Sequence, residues 1–344
     1  MREFWDKDGL YSFLRYYVDF TTRRSYRRLS VVGERPPDND GIATIYAPNH
    51  TNTLMDALVV LQLRHGGTLF GARADVFRKP SIARILHFLK MLPLARHSRD
   101  KAEEVAHNRI SFDEIDRALA HGLPFCLFPE GRHRPMHSLL PMRRGIATMA
   151  FRSAQERPTR IVPIGIDYSD WFHYRAKANI RIGEPLDVNA FAASIPAGIP
   201  DSERDAFLQE EMYRRLSSLI FFIPDDEHYE ETLADIRASH PAPARCPRIL
   251  LAAVTFPLWL VFAVLSAPLW VLAEFLCRRM VKDPAFQNTA RFGVRLILWP
   301  LWAIIWLIIG LCIFPWWGAL LLVAAYLPSY SLFYDWLNLA RGDN

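Results

Sequence analysis

Short apolar runs alternate with amphipathic stretches through the first half of the chain. Strand-like runs fall at 42–46, 68–70, 92–95, 125–128 and 161–166. Helix-like stretches fall between and after them, at 54–63, 81–90, 101–121 and 146–155. This alternation of strands and helices predicts an α/β domain with a largely parallel sheet covered by helices.

A different pattern precedes this domain. Residues 8–24 indicate a helix with an aromatic and aliphatic side. Its end and the residues after it carry Arg23, Arg24, Arg27 and Arg28. Such a helix can lie on a bilayer surface, and the alternative is an ordinary helix packed against a core.

The last hundred residues are strongly apolar. Neither 249–273 nor 296–334 contains a charged residue. A helix needs about 20 apolar residues to cross a membrane, so the second run is long enough for two short crossings with a turn at 315–318. The alternative is a large buried core helix. We expect four parts: a membrane-associating segment at 1–40, the α/β domain at 41–223, a linker at 224–248 and α-helical membrane hairpins at 249–344.

Basic residues flank the first apolar run on both sides. Arg245 and Arg248 precede it, and five Lys or Arg residues follow between 278 and 295. The positive-inside rule therefore places both flanks in the cytoplasm. We expect Pro257 and Pro268 to break the run into a re-entrant hairpin. The chain is then an integral protein of the cytoplasmic (inner) membrane, with the α/β domain facing the cytoplasm.

Composition and charge exclude several classes. With 51% hydrophobic and 22% charged residues, the chain is not intrinsically disordered. A net charge of +5 suits an anionic membrane surface or anionic substrates, but no basic stripe with interleaved aromatics indicates nucleic acid. The four cysteines form no C-x-x-C pair, and the first residues contain no apolar core of a signal peptide. We therefore expect a reduced chain without a cleavable signal.

The first candidate for chemistry is the segment Ala-Pro-Asn-His-Thr-Asn-Thr-Leu-Met-Asp at 47–56, which follows a predicted strand and opens a helix. His50 can act as a general base, and Asp56 can fix its tautomer and stabilise its charged form. The alternative is structural. Thr53 and Asp56 then form a capping box, and His50 is a hydrogen-bonded loop residue.

The second candidate is Leu-Phe-Pro-Glu-Gly-Arg-His-Arg at 127–134, where a strand runs into a turn. Backbone N–H groups of such a turn, together with an arginine, can bind a phosphate. A solvated basic loop is the alternative. Arg73 and Arg96 are weaker candidates, each at the end of a short apolar run. The strand at 161–166 lines an acyl pocket or belongs to the core.

Taken in this order, the motifs resemble those of the membrane-bound glycerolipid acyltransferases, which comprise glycerol-3-phosphate and 1-acylglycerol-3-phosphate acyltransferases. That family has Asn-His followed closely by Asp, then Phe-Pro-Glu-Gly with an adjacent Arg, then a Val-Pro-Ile-type strand. The resemblance covers roughly residues 30–185. The Lys-Asp-Pro sequence at 282–284 and the apolar tail resemble a subgroup with C-terminal membrane hairpins.

The resemblance implies a reaction and roles for individual residues. It implies transfer of a fatty acyl group from acyl-CoA or acyl-carrier protein to a glycerol-phosphate hydroxyl in phospholipid biosynthesis, without a cofactor or metal. The partners are then membrane lipids, the acyl donor and the glycerol-phosphate acceptor, with no nucleic acid. His50 and Asp56 are the implied catalytic residues. The implied substrate-binding residues are Arg73, Arg96, Glu130, Gly131 and Arg132.

Two features depart from the family pattern. Five residues separate His50 from Asp56, where most members have four. The usual Gly-Thr-Arg is replaced by Gly-Arg-His-Arg at 131–134, which leaves open whether Arg132 or Arg134 binds phosphate.

Other functions remain as alternatives. One is an acyltransferase acting on another lysolipid acceptor, and another is a non-catalytic lipid-binding protein that retains the fold. A third is a metal-dependent hydrolase with ligands among His50, Asp56, His97, His133 and His137. No H-E-x-x-H or comparable spacing supports this third class. Metal analysis and an acyl-transfer assay separate these alternatives.

Overall fold

The protein was analysed as a computed structural model. It describes residues 3–38, 40–64, 66–94, 101–239 and 245–342, and for 101–108 and 245 only the helices that contain them.

A mixed sheet forms the centre of the α/β domain. Within the described residues it has 8 strands: β1 (Arg28–Val32), β2 (Ala43–Pro48), β3 (Leu69–Arg73), β4 (Met91–Leu94), β5 (Phe125–Cys126), β6 (Thr159–Tyr168), β7 (Lys177–Ile182) and β8 (Leu186–Asp187). Their order is β1-β7-β6-β2-β5-β3-β4, with β8 also paired to β6. In the central register, Ile45 of β2 lies between Ile161 of β6 and Phe125 of β5. Only β6–β7 and β6–β8 are antiparallel among the described pairs. The prediction of a largely parallel sheet is confirmed.

Helices cover both faces of the sheet. They are α1 (Gly9–Ser25), α2 (Thr53–Val60), α3 (Pro80–Phe88), α4 (Lys101–Ala120), α5 (Arg144–Glu156), α6 (Val188–Ser194), α7 (Asp201–Leu219) and α8 (Tyr229–Ser239). Alternate residues of β2 enter different cores: Ile45 packs with residues of α4, α5 and α7, whereas Tyr46 packs with residues of α2. This alternation follows from the two-residue side-chain period of a strand.

The strands and helices predicted for 42–166 are present, with shifted ends. The largest difference is β5, because 125–128 was expected to be extended and only Phe125–Cys126 pairs. The sequence did not predict β1, β7 or β8. β1 lies within the segment 1–40 that was separated from the domain, and α8 lies within the expected linker. The domain boundaries stay a prediction.

Four apolar helices follow the domain: α9 (Arg245–Leu265), α10 (Ala267–Arg279), α11 (Gln287–Ile313) and α12 (Trp316–Arg341). Of the described helices, three are long and apolar enough to cross a membrane, corresponding to α9, α11 and α12. Leu250, Val254, Ile297 and Trp316 are 63 to 70% exposed. A buried core helix does not expose large apolar side chains in this way, so the membrane interpretation is favoured over a core. The turn between α11 and α12 lies at 314–315, so it shares only residue 315 with the predicted 315–318, and residues 316–318 begin α12.

The pair α9–α10 turns back toward the domain. At its turn, the carbonyl of Leu265 accepts a hydrogen bond from the Trp306 indole, far along α11. Near its end, Glu274 forms an ion pair with Arg291, close to the start of α11. α10 has 13 residues and is therefore about 20 Å long, which is shorter than a membrane core of about 30 Å. Whether the pair re-enters the membrane or α9 crosses it is not decided by these lengths, and the re-entrant hairpin stays a prediction.

The two prolines of this pair behave differently. α9 continues through Pro257, so the expectation that this residue breaks the helix was wrong. The break occurs at Ser266, and Pro268 lies in the first turn of α10. A proline is well tolerated there because the first turn has no intrahelical partner for its missing N–H group.

Polar contacts join these helices to the domain. Arg175 forms a two-pronged ion pair with Asp335 of α12, at 2.9 and 2.8 Å. Arg291 of α11 donates to the carbonyl of Phe172 at 2.8 Å. These contacts place the polar ends of α11 and α12 on the domain and leave their apolar parts extending away from it.

Candidate active site

Three strand ends meet at one edge of the sheet. β2, β5 and β3 are neighbouring parallel strands, which end at Pro48, Cys126 and Arg73. Carboxyl ends of parallel strands share an edge, and catalytic and binding groups of α/β folds commonly gather there. The segments 49–56 and 127–134 therefore come together at this edge.

His50 and Asp56 form a hydrogen-bonded pair at this edge. The distance from His50 Nδ1 to Asp56 Oδ2 is 2.8 Å, with Asp56 fully buried and the His50 side chain 17% exposed. Because the carboxylate accepts the bond, Nδ1 carries the proton and the free lone pair is on Nε2. Nε2 has no hydrogen-bond partner in the described part of the chain. It is therefore available to accept a proton from a substrate hydroxyl.

Asp56 serves the fold as well as the imidazole. Its Oδ2 also accepts the backbone N–H groups of Thr51 and Asn52, at 2.8 and 2.6 Å, and its Oδ1 accepts the Tyr168 hydroxyl at 2.8 Å. Asn52, rather than Thr53, is the N-cap of α2. The capping-box alternative therefore has the wrong register, but Asp56 does satisfy donors at the helix start.

Thr53 accommodates the extra residue between His50 and Asp56. Its φ of 48° lies in the left-handed region, which is rare for a β-branched residue. A backbone of this kind costs about 1 to 3 kcal/mol, so surrounding contacts must hold it. Its hydroxyl donates to the Ala285 carbonyl at 3.3 Å and lies 3.1 Å from the Thr289 hydroxyl. Two residues from the apolar C-terminal region therefore help to hold the start of α2.

The turn after β5 fixes the position of His50. Glu130 Oε1 accepts the His50 N–H at 2.7 Å, and the His50 carbonyl accepts the Arg134 N–H at 3.0 Å. The Phe128 ring stacks on the imidazole with centroids 4.1 Å apart. Gly131 closes the turn with a φ of 76°, a conformation that glycine adopts readily. Backbone and ring of His50 are both held before any substrate binds.

Glu130 acts through His50 in this geometry. It is 2% exposed, and its second oxygen accepts the Leu140 N–H at 2.8 Å. Burial raises the pKa of its carboxyl to about 7. Both oxygens are used by backbone donors, so the structure gives Glu130 a positioning role, where the resemblance implied contact with substrate.

The two candidate arginines of the turn have different surroundings. Arg134 is half-buried and binds Asp225 at 2.5 Å and the Ser138 hydroxyl at 2.9 Å. Arg132 is exposed and has no ion pair or side-chain hydrogen bond among the described residues. Arg132 is therefore the guanidinium that is available to an incoming phosphate.

Arg73 lies at the same edge of the sheet and is 70% exposed. It binds Asp75 through two contacts, at 3.1 and 2.8 Å. Exposed ion pairs contribute little free energy, so Arg73 can exchange Asp75 for a phosphate. Arg96 lies outside the described residues, and its role stays a prediction.

The sequence did not identify Asn49 or Tyr168. The Asn49 amide makes two hydrogen bonds to the backbone of Ile166, at 3.0 and 2.7 Å, and so ties the end of β2 to β6. Tyr168 holds Asp56 from the end of β6. β2 and β6 are parallel neighbours, but this pairing is not visible in the sequence, where Tyr168 is 112 positions from Asp56.

The structure bears on two further alternatives, the acyl pocket at 161–166 and the metal site. The residues at 161–166 are buried within the two hydrophobic cores, which favours the core interpretation over an acyl pocket. Over the described ranges, no group of three or more His, Cys, Asp or Glu residues is arranged to hold a metal ion. His137 packs against the rings of Trp171 and Phe221, and His97 lies outside the described residues.

Comparisons with known proteins agree with the motifs. The family profile described as Acyltransferase matches residues 28–167. Glycerol-3-phosphate O-acyltransferase 1 of Saccharomyces cerevisiae is 33% identical over 80 residues, which is 22% of this chain and 10% of the relative. Residues 28–167 of the chain therefore match an Acyltransferase domain. The matched acyltransferase domain contains both His50 and the turn after β5.

Further relatives match the same acyltransferase domain. Glycerol-3-phosphate O-acyltransferase 2 of S. cerevisiae is 27% identical over 128 residues, 35% of this chain and 17% of the relative. An uncharacterized acyltransferase of Schizosaccharomyces pombe is 30% identical over 80 residues, 22% of this chain and 12% of the relative. The matches thus cover less than a fifth of these relatives. The 1-acyl-sn-glycerophosphate acyltransferase PlsC of Thermotoga maritima superposes with a TM-score of 0.44 and 19% identity, over 64% of this chain and 83% of that one.

Proposed function

We propose that the protein is an O-acyltransferase that moves a fatty acyl group from an acyl thioester to a hydroxyl of a glycerol phosphate. The observation that carries this proposal is the His50–Asp56 pair at the sheet edge, where no described residue binds Nε2 of His50. The match of residues 28–167 to the Acyltransferase family profile and the similarity to a yeast glycerol-3-phosphate O-acyltransferase support it. A lipid-binding protein without catalysis would not need a buried carboxylate to orient an accessible imidazole.

The proposed mechanism follows from the properties of the groups. A glycerol hydroxyl is a weak nucleophile at neutral pH. His50 Nε2 takes its proton as the oxygen attacks the thioester carbonyl, and Asp56 stabilises the imidazolium that forms. When the tetrahedral intermediate collapses, the carbon–sulfur bond breaks and the imidazolium returns the proton to the thiolate. The products are an ester and a free thiol, and no covalent enzyme intermediate, cofactor or metal takes part in this scheme.

We propose glycerol 3-phosphate or 1-acylglycerol 3-phosphate as the acceptor, with acyl-CoA or acyl-carrier protein as the donor. Exposed Arg132 and Arg73 can bind the acceptor phosphate through charge-assisted hydrogen bonds. Another lysolipid acceptor is the alternative, since such a molecule offers a hydroxyl and a charged headgroup too.

We also propose that the protein works at a membrane surface with its domain in the cytoplasm. α9, α11 and α12 are long and apolar enough to span a bilayer. On α1, Phe13 and Tyr16 are 70 and 69% exposed, so the aromatic side of this helix faces outward. The Phe20 ring lies 5.9 Å from that of Trp299 in α11, which makes the two apolar surfaces adjacent. This favours the bilayer interpretation of α1 over an ordinary packed helix.

A lipid-product analysis tests the proposed reaction. Purified protein in vesicles is given a labelled acyl thioester and, separately, glycerol 3-phosphate, 1-acylglycerol 3-phosphate, lysophosphatidylcholine and monoacylglycerol. We expect labelled ester from a phosphate monoester acceptor, and much less from monoacylglycerol. Transfer to lysophosphatidylcholine alone would favour the alternative acceptor, and transfer to none would remove the enzymatic proposal.

A further inference from the structure

The segment between α10 and α11 lies against the candidate active site. We name residues 280–286 the interhelical loop. Asp283 of this loop binds His133, with Oδ2 and Nε2 3.1 Å apart. The Phe286 ring stands perpendicular to the His133 ring at 5.4 Å, and His133 in turn lies edge-on to His50 at 5.7 Å. The loop is therefore one residue away from the proposed base.

The same segment touches the active site at a second point. Thr53, three positions after His50, donates to the carbonyl of Ala285 and contacts Thr289 at the start of α11. Thr53 is 5% exposed and Ala285 1% exposed, so this contact is closed to solvent. Two independent contacts thus fix the interhelical loop beside the segment that contains His50.

The contact with Asp283 determines what His133 can bind. The Asp283 carboxylate accepts a hydrogen bond from Nε2 of His133 and so orients the ring. Nδ1 of His133 has no hydrogen-bond partner within the described ranges. Arg132, the adjacent residue, is also without a partner there, whereas Arg134 is occupied by Asp225. Nδ1 of His133 and the guanidinium of Arg132 are thus neighbouring groups next to the proposed base that are available to a ligand.

We propose that the interhelical loop completes the acceptor site, with Asp283 as a positioning residue that holds His133 so that His133 and Arg132 together bind the acceptor phosphate. The inference rests on the proposed function, since it assigns a partner to the phosphate of that acceptor. It makes the apolar C-terminal region a contributor to substrate recognition as well as an anchor. The alternative is that the contact between Asp283 and His133 only attaches the loop to the domain.

Four variants of the full-length protein in vesicles separate these roles. Asp283→Asn removes the charge but keeps an oxygen for the Ala285 N–H, which Asp283 accepts at 3.0 Å. His133→Gln removes the imidazole, His133→Arg replaces it with a guanidinium, and the double variant combines Asp283→Asn with His133→Gln. Glu227→Gln is the matched control, because Glu227 also lies beside a histidine, at 4.0 Å from His228, on an exposed surface. The readouts are KM and kcat for glycerol 3-phosphate or 1-acylglycerol 3-phosphate, whichever the wild type uses.

We expect His133→Gln to raise the acceptor KM about 10-fold, as the loss of a hydrogen bond to a charged group implies, with little change in kcat. Asp283→Asn raises KM by a smaller factor and adds nothing in the His133→Gln background. His133→Arg restores KM to within about 2-fold of the wild type, since an arginine binds phosphate too. Glu227→Gln leaves both constants unchanged.

Other outcomes overturn the inference. An unchanged acceptor KM in both Asp283→Asn and His133→Gln, in an enzyme that is active, would overturn it. Equal losses of kcat with every acceptor would also overturn it, because a merely structural contact predicts that result. Additive effects in the double variant would show that Asp283 does not act through His133. An inactive wild type would remove the proposed function, and this result is distinct from an active enzyme with unaltered KM.

Discussion

At the scale of single residues, Asp56 shows how one side chain serves both the fold and the site. Its two oxygens accept four hydrogen bonds, two of them from the backbone at the start of α2. The sequence offered a helix-capping role and a catalytic role as alternatives. Asp56 contacts both the start of α2 and His50, and its catalytic role stays a prediction. The bond to His50 concerns the proposed proton transfer, whereas the other three bonds hold the fold. The effect of substituting Asp56 must therefore be measured on both kcat and stability.

Asp56→Asn should lower kcat by about 100-fold or more, because the neutral amide no longer fixes the imidazole tautomer or stabilises the imidazolium. The amide oxygen can keep one backbone bond, so we expect the variant to fold. Asp187→Asn, at the N-cap of α6, is the control for changing a capping aspartate elsewhere. Near-normal kcat in Asp56→Asn would show that the pair is structural only.

Glu130 gives a prediction about pH. Burial raises the pKa of its carboxyl to about 7, above the ordinary value of 4.5. Such a group stabilises the folded state most below the unfolded pKa, and this contribution is lost as pH rises through about 7. Glu130→Gln lacks this contribution. The difference in Tm, wild type minus Glu130→Gln, should therefore decrease as the pH is raised from 5 to 8. A difference in Tm that increases with pH would contradict the assignment.

At the scale of elements, the sequence predicts those strands and helices that the local pattern of apolar and polar residues determines. The strands at the centre of the sheet are apolar and buried, and β2 and β6 were therefore identified. β1 was missed because it is a half-buried edge strand, and it pairs with β7 about 150 positions later. Such pairing depends on contacts that no local pattern shows. For the same reason, His50 and Asp56 could be found in one segment, but Tyr168 and Asp283 could not.

The α9–α10 pair gives a prediction about topology. We expect both of its ends on the cytoplasmic side, and we expect α11 and α12, at about 40 Å each, to cross the membrane and return. Single cysteines replace Lys282 and Trp316 in a chain without its four native cysteines, and an impermeant thiol reagent is added to cells. Position 316 should be labelled in intact cells and position 282 only after lysis. Labelling of position 282 in intact cells would mean that the first pair crosses.

At the scale of the whole molecule, the apolar C-terminal region and the domain form one unit. Arg175 binds Asp335, Arg291 reaches the Phe172 carbonyl, and Asp283 lies beside the proposed acceptor site. This arrangement holds the sheet edge with His50 next to the helices that are long and apolar enough to cross a membrane. A lipid acceptor and the proposed base can therefore meet without leaving the membrane surface.

The most direct test of this account is acyl transfer by His50→Ala. Purified wild type and variant are compared in vesicles for transfer from a labelled acyl thioester to the phosphate-bearing acceptor that the wild type prefers. His228→Ala, an exposed histidine outside the site, is the control. The account predicts a fall in kcat of at least about 100-fold for His50→Ala, with an unchanged Tm and normal membrane insertion. Turnover by His50→Ala close to that of the wild type would contradict it.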